Sequence, residues 1–302
     1  MSELSSVISE IRAALPALSI LENEKLSEHC SFRIGGTCTA FVEPSSEEEL
    51  VTLCSILRSH GESPLLMGNG SNLLITDGHL NRIVLHMGKR FSAVERRGET
   101  TLYAQSGITL YKLAMTAADY ALAGLEFAHG IPGTLGGAIN MNAGAYGGEM
   151  VQVVRSVRYL NPQNQLLETT EPDFSYRHSC FSDSDDIIVG AELELQKGDE
   201  AAIRSQMQTL MEKRRASQPL ELPSAGSTFK RPVGGYAAAL IDQAGLKGFT
   251  VGGAQVSEKH AGFVVNKGGA SCEDVLALMK AVQEKVYASS GITLEPEVKI
   301  VR

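Results

Sequence analysis

The sequence predicts an α+β protein in three parts: two α/β lobes, over residues 1–88 and 89–198, and a C-terminal α/β domain over residues 199–302. Three observations carry that prediction. Strand-like, helix-like and strand-like segments follow one another between Thr39 and Met87. From Phe91 to Gln196 strand-like segments dominate, with one helix among them. A polar helix is then broken at Gln218-Pro219, and again by Pro223, which marks the passage into a last unit.

The opening MSELSSVISEIRAALPAL reads as an amphipathic helix. Two early acidic residues and no basic start before an unbroken apolar run do not read as a secretory signal. Thr39–Glu43 is a strand closed by Pro44. Ser46 with Glu49 three residues on is a capping-box signature, and Leu50, Leu53, Ile56 and Leu57 follow at helical spacing as far as Gly61. Pro64–Met67, the run from Leu73 and Ile83–Met87 supply further strands.

In the second lobe Leu102–Gln105, Val151–Leu160 and Ile187–Gln196 are strand-like, with a helix from about Thr109 to Tyr120. The last strand alternates Ile187, Val189, Ala191, Leu193 and Leu195 with polar residues, the pattern of a half-buried antiparallel strand. After the polar helix Asp199–Arg215 come a helix around Tyr236–Gln243, a strand Phe263–Asn266 and a helix with Val275, Leu278, Met279, Val282 and Val286 on one face. A strand around Val298–Val301 closes the last unit.

Hydrophobic residues at 43% and charged residues at 21% are ordinary for globular cores. No apolar run approaches the roughly 20 residues needed to span a bilayer. The five cysteines, Cys30, Cys38, Cys54, Cys180 and Cys272, form no C-x-x-C pair. Neither a disulfide framework nor a metal site is expected, and a reduced, cytoplasmic setting fits. The net charge of -8 argues against a nucleic-acid partner but leaves room for a small anion held by a local basic cluster.

Chemistry is expected at glycine-rich loops, none of which is a Rossmann or P-loop fingerprint. Gly68-Asn69-Gly70-Ser71-Asn72 lies between two strands. Its glycines permit positive φ and close backbone approach, and consecutive N–H groups can make an anion-binding concavity. A plain hairpin turn reads equally well, since Asn-Gly is its strongest short signal. Gly130-Ile131-Pro132-Gly133-Thr134-Leu135-Gly136-Gly137 runs on through Ala138 to Asn142-Ala143-Gly144. Pro132 suits a helix start, and the small residues let that helix press on a flat partner or bring its N-terminus to a pyrophosphate. A third turn is Arg33-Ile34-Gly35-Gly36.

SFRIGG, GNGSN and GIPGTLGGAINMNAGAYG, followed by SYRHS, KRRASQPLELPSAGSTFKRP, LIDQAGLKG and LEPEV, resemble in order and spacing the UDP-N-acetylenolpyruvoylglucosamine reductase family. The resemblance covers about Lys25 to Arg302 and extends to the broader flavin fold of vanillyl-alcohol and p-cresol oxidoreductases. It implies two lobes forming a PCMH-type FAD-binding fold plus a C-terminal substrate-binding domain. It also implies FAD as cofactor, NADPH as co-substrate, and reduction of UDP-N-acetylglucosamine enolpyruvate in peptidoglycan precursor synthesis. A monomer with these small-molecule partners, and with no membrane or nucleic acid, is the expectation.

The resemblance assigns Arg33, Gly68, Asn69, Gly70, Ser71, Asn72, Gly130, Ile131, Pro132, Gly133, Gly137, Ala138, Asn142, Ala143 and Gly144 to the cofactor. Arg177 would hold the substrate carboxylate, and Glu297 would stabilise the enolate if burial and like charge keep it protonated. Ser227 would donate the proton. Glu295 competes with Glu297, because strand alternation sends both the same way, and Ser224 and Thr228 compete with Ser227. Tyr176, Arg214, Arg215, Lys230, Arg231 and Lys259 are candidates for the UDP-sugar. Some family members have FKNP where this chain has FKRP, so the Arg231 contact is open. Nine residues between Arg177 and Ile187 fit a shorter-loop branch. The competing readings are a flavin oxidase, with His129 as candidate tether, and a non-catalytic flavin or nucleotide-sugar binder.

Overall fold

A computed structural model describes residues 3–302, which divide into two compact units, each built from separated stretches of chain. The first comprises residues up to Glu22, Thr39–Asn69 and Arg82–Glu212; the second comprises Asn23–Cys38, Gly70–Asn81 and Lys213–Arg302.

In the first unit α1 (Glu3–Ala14) buries Leu4, Val7, Ile8 and Ile11, the helical spacing of one apolar face. α2 (Glu47–Ser59) buries Leu50, Leu53, Cys54, Ile56 and Leu57. Its N-cap Ser46 accepts the Glu49 N–H at 3.2 Å, as the capping box requires. The carboxylate of Glu49 reaches one residue further back than expected, accepting from the N–H and hydroxyl of Ser45 at 2.7 and 2.8 Å. Both helices share a core with a four-stranded sheet ordered Ser19–Glu22, Cys38–Glu43, Leu80–His86, Leu65–Met67.

The five-stranded sheet of this unit is antiparallel, ordered Leu166–Thr169, Val154–Leu160, Ile187–Glu194, Thr101–Gln105, Val94–Arg96. α3 (Leu110–Asp119) and the short α4 (Leu135–Asn140) contribute to its core. The central strand Ile187–Glu194 departs from the half-buried pattern. From Ile187 to Ala191 it is buried on both faces, with Ile187 and Val189 in the first core and Ile188 in the second. Alternation survives only at its C-terminal end, where Glu192 and Glu194 leave the core.

α5 (Glu200–Ser217) runs from the first unit into the second, which holds α6 (Ala237–Gln243) and α7 (Cys272–Ser290). The face of α7 read from the sequence is buried at every position: Val275, Leu278, Met279, Val282 and Val286. It shares a core with a four-stranded antiparallel sheet ordered Ser224–Ser227, Phe263–Asn266, Ala254–Val256, Thr250–Val251. Ser271 caps α7 reciprocally with Asp274, and the carboxylate of Asp77 accepts the Cys272 N–H at 2.7 Å.

The strand Leu73–Ile75 pairs in parallel with Lys299–Val301. This pairing helps to draw residues 70–81 into the C-terminal unit, so the compact units do not follow the sequence division at 88 and 198. Local hydrophobic pattern carries no information about so distant a partner.

Candidate active site

The glycine-rich loop of the first unit is built around tight backbone packing. The N–H groups of Leu135 and Gly136 donate to the carbonyls of Ile108 and Ser106 at 2.9 and 2.8 Å, and the Leu110 N–H donates to Gly133. Thr134 is extended and bridged to Thr109, so α4 starts at Leu135 and not at Pro132. Two amides of its first turn are therefore committed within the protein. A Cβ at Gly136 would lie 2.9 Å from that of Ser106, and a side chain at Gly68 would collide with the Thr134 hydroxyl. The Asn69 amide donates to the Pro132 carbonyl at 3.0 Å. Gly68, Asn69 and the loop Gly130–Gly133 are thereby brought together.

Ala138 and Ala143 lie in the core, with Ile131 packed against it. Gly144 pairs with Glu149, whose Cγ would lie 2.7 Å from an added Cβ. Near the loop, Ser106 Oγ and His129 Nδ1 are buried polar atoms with no hydrogen-bond partner. The His129 ring lies tilted against that of Tyr111, 4.9 Å between centroids, and burial pushes its pKa down. Ser106 escaped the sequence reading, because a serine before a glycine signals only a turn.

Arg177 lies in the tight turn Ser175–His178, whose end residues bond to each other's backbone. Its φ is +56°, a left-handed conformation that costs a non-glycine residue about 1–2 kcal/mol. The guanidinium lies 5.0 Å from the ring centre of exposed Tyr176. Asn142, itself at φ +42° and 2% exposed, donates to the Ser175 carbonyl and to the Glu149 carboxylate, both at 3.1 Å. Its own carbonyl oxygen accepts the Val151 N–H at 3.0 Å. The side chain of this predicted cofactor ligand is thus spent inside the protein.

The second unit brings together four of the sequence motifs. The strands flanking the Gly68–Asn72 cluster join different sheets, so the hairpin reading of that cluster fails. Gly70, at φ +56°, accepts the Ser31 N–H at 3.4 Å, and the Ser31 hydroxyl donates to the Ser224 carbonyl at 2.6 Å. Ser71 is half-buried beside it; Arg33 is exposed at φ +54° between the buried Phe32 and Ile34. The Asn72 amide donates to the Glu297 carbonyl at 3.1 Å, and the Glu297 N–H donates to Thr228 at 2.8 Å.

Between Ser224 and Ser227 the strand register shifts against Phe263–Val265, with Gly226 at φ +75°. This is a β-bulge, a device that re-aims the following side chain. Ser227 emerges exposed. Its rival Thr228 is buried, and its hydroxyl accepts the Val264 N–H at 3.0 Å. Of the two acids, Glu295 is exposed and ion-paired to Lys230 at 2.5 Å, whereas Glu297 is half-buried.

Lys259 and Arg231 are also engaged locally. Lys259 donates to the Arg215 carbonyl in the last turn of α5 at 2.6 Å, where its charge suits the helix dipole. Arg231 lies 4.1 Å over the Tyr236 ring. Arg214 is half-buried and Arg215 exposed in the same turn of α5. Among the described residues no cluster of His, Cys, Asp and Glu suits a metal ion. No helix among the described residues is long and apolar enough to cross a membrane.

The chain is similar to known proteins over nearly its whole length. A model of the C-terminal domain of UDP-N-acetylenolpyruvoylglucosamine reductase matches residues 218–301, and a model of an FAD binding domain matches residues 38–170. A UDP-N-acetylenolpyruvoylglucosamine reductase from Clostridioides difficile (strain 630) is 46% identical over 281 residues, 92% of each chain. The crystal structure of the Thermus caldophilus reductase superposes with a TM-score of 0.80 at 31% identity, over 94% of this chain and 99% of that one. A 4-ethylphenol oxidase from Gulosibacter chungangensis shares the fold alone, at 17% identity and a TM-score of 0.51, over 65% of this chain and 43% of its own. With identity of this order along nearly its whole length, the chain belongs to the UDP-N-acetylenolpyruvoylglucosamine reductase family.

Proposed function

We propose that this protein reduces UDP-N-acetylglucosamine enolpyruvate to UDP-N-acetylmuramate with NADPH, a step of peptidoglycan precursor synthesis. FAD fits the first unit: Gly68 and Asn69 meet the glycine-rich loop that begins at Gly130, beside the buried and unpartnered Ser106 Oγ and His129 Nδ1. Gly68, Asn69, Gly130–Gly133 and Gly137 would hold it. When bound, the flavin supplies the hydride, taken from NADPH and passed to the terminal vinyl carbon of the substrate.

The remaining work falls to side chains. As the vinyl carbon becomes a methyl group, charge grows on the adjacent carbon and its carboxylate. The Arg177 guanidinium binds that carboxylate bidentately. Glu297, protonated, donates a hydrogen bond to the same group. The Ser227 hydroxyl transfers its proton to the adjacent carbon, completing the lactyl ether. The observation that carries this reading is the backbone bond from Glu297 to Thr228, which fixes the acid beside the residue that follows the exposed serine.

The experiment is an anaerobic visible spectrum of the holoprotein. The flavin band bleaches with NADPH and returns on adding the enolpyruvyl nucleotide. A band that returns only with oxygen favours the oxidase instead, and a protein that takes up no FAD removes both readings.

A further inference from the structure

The Ser175–His178 turn carries Arg177 in a strained conformation at the surface, with Ser175 and Tyr176 exposed. A turn of this kind needs an external brace if its side chain is to keep one direction. The brace comes from Asn142. One of its amide hydrogens is given to Ser175, the first residue of the turn, and the other to Glu149. Glu149 is itself fixed by a reciprocal capping box with Gln152. With its carbonyl oxygen bound to the Val151 N–H, Asn142 uses its acceptor and both donors, and it is buried. Two residues before it, the Asn140 amide donates to Phe181 and its carbonyl accepts from Ser179, tying the chain beyond the turn to the same helix end.

We propose that Asn142 is a positioning residue for the reaction, holding the Arg177 turn in its working conformation and making no contact with cofactor or substrate. This rests on the reading of Arg177 as the group that binds the substrate carboxylate. A side chain that binds the cofactor from this position would leave some of its polar atoms directed outward, and here the side-chain oxygen and nitrogen of Asn142 are engaged within the protein.

The test compares holoenzymes carrying Asn142→Gly, Arg177→Lys and both. Glycine accepts the φ of +42°, so the change removes the brace without adding backbone strain. Two readouts are followed: trypsin cleavage after residue 177, located by mass spectrometry, and the two half-reactions of the flavin. With Asn142→Gly, cleavage after Arg177 rises about tenfold, the effect of losing a net hydrogen bond. Flavin reoxidation by the enolpyruvyl nucleotide slows about tenfold or more, while bleaching by NADPH stays within about twofold. The double variant is no slower than Arg177→Lys by more than about twofold.

Unchanged cleavage, or equal loss in both half-reactions, overturns the proposal. A slow Arg177→Lys beside a normal Asn142→Gly sinks the proposal alone. An Arg177→Lys reoxidised at the wild-type rate sinks the underlying reading and the proposal with it. If Asn142→Gly does not retain flavin, Asn142→Asp keeps the size and the Val151 acceptor, and a second loss of flavin overturns the proposal.

Discussion

The hydroxyl of Thr228 accepts the backbone N–H of Val264 at 3.0 Å inside the strand pair, while the neighbouring Ser227 is exposed. Adjacent hydroxyls thus serve different ends. Thr228→Val leaves the Val264 N–H buried and unpaired, at a cost of about 1–3 kcal/mol. Thermal denaturation is expected to show that loss with FAD retained. Ser227→Ala is expected to leave the melting temperature unchanged and to slow product formation by about a hundredfold or more. A normal turnover rate in Ser227→Ala removes the proton-donor assignment.

The bulge that presents Ser227 depends on Gly226 at φ +75°. An added Cβ there meets nothing within 4 Å, so Gly226→Ala acts through the backbone alone, costing about 1–2 kcal/mol. Turnover is expected to fall more than that stability change accounts for, because relaxing the bulge re-aims the serine. Activity and melting temperature measured together check this.

The two acids of LEPEV separate by substitution. Glu295 forms an exposed pair with Lys230, a class worth about 0–1 kcal/mol, so Glu295→Gln leaves stability and rate near wild type. Glu297→Gln is expected to slow flavin reoxidation specifically in rapid-mixing experiments. The reverse result transfers the role to Glu295.

His129 and His260 are both pushed below the ordinary histidine pKa of 6.5, chiefly by burial. His260 Nδ1 accepts the Gly262 N–H at 3.2 Å, a bond that its protonation breaks. Since the unfolded chain binds these protons more readily, the stability they contribute is complete above about pH 6.5 and is lost as pH falls through the folded values. Denaturation midpoints measured across that window are expected to decline on acidification, with a shallower slope in His260→Gln. An unchanged slope refutes the assignment.

Burial raises the thiol pKa of Cys54 to about 12 and those of Cys38 and Cys272 to about 11, and Cys30 is also buried. Cys180 is exposed. Iodoacetamide at pH 8 is expected to modify Cys180 alone in the folded protein and the other four after denaturation. Peptide mapping shows which thiols react.

How much of this the residues declare in advance depends on the range of the interaction. The apolar face of α7 and the Ser46 cap of α2 are local periodicities and read correctly. The two-sided burial of Ile187–Val189 is not local, because a core lies on each face of that strand. The hairpin reading of Gly68–Asn72 failed for the same reason. Arg177 and Arg33 take left-handed conformations for which neither residue type has a preference, so the strain in these two motifs left no mark in the sequence. The resemblance assigns Asn142 to the cofactor; the inward direction of its side chain rests on three hydrogen bonds, two of them to residues within ten positions and one to Ser175, and is not legible from its glycine-rich surroundings.

The parallel pair between Leu73–Ile75 and Lys299–Val301 also bears on how the protein is made. A ribosome adding roughly 5–20 residues per second leaves the first of these strands waiting on the order of ten seconds or more for the second. Residues 82–212, the largest stretch of the first unit, are synthesised within that interval. During nascent-chain growth Leu73, Leu74 and Ile75 are thus an unpaired apolar edge, open to chaperones or to self-association. The second unit closes only after Val301 has left the exit tunnel.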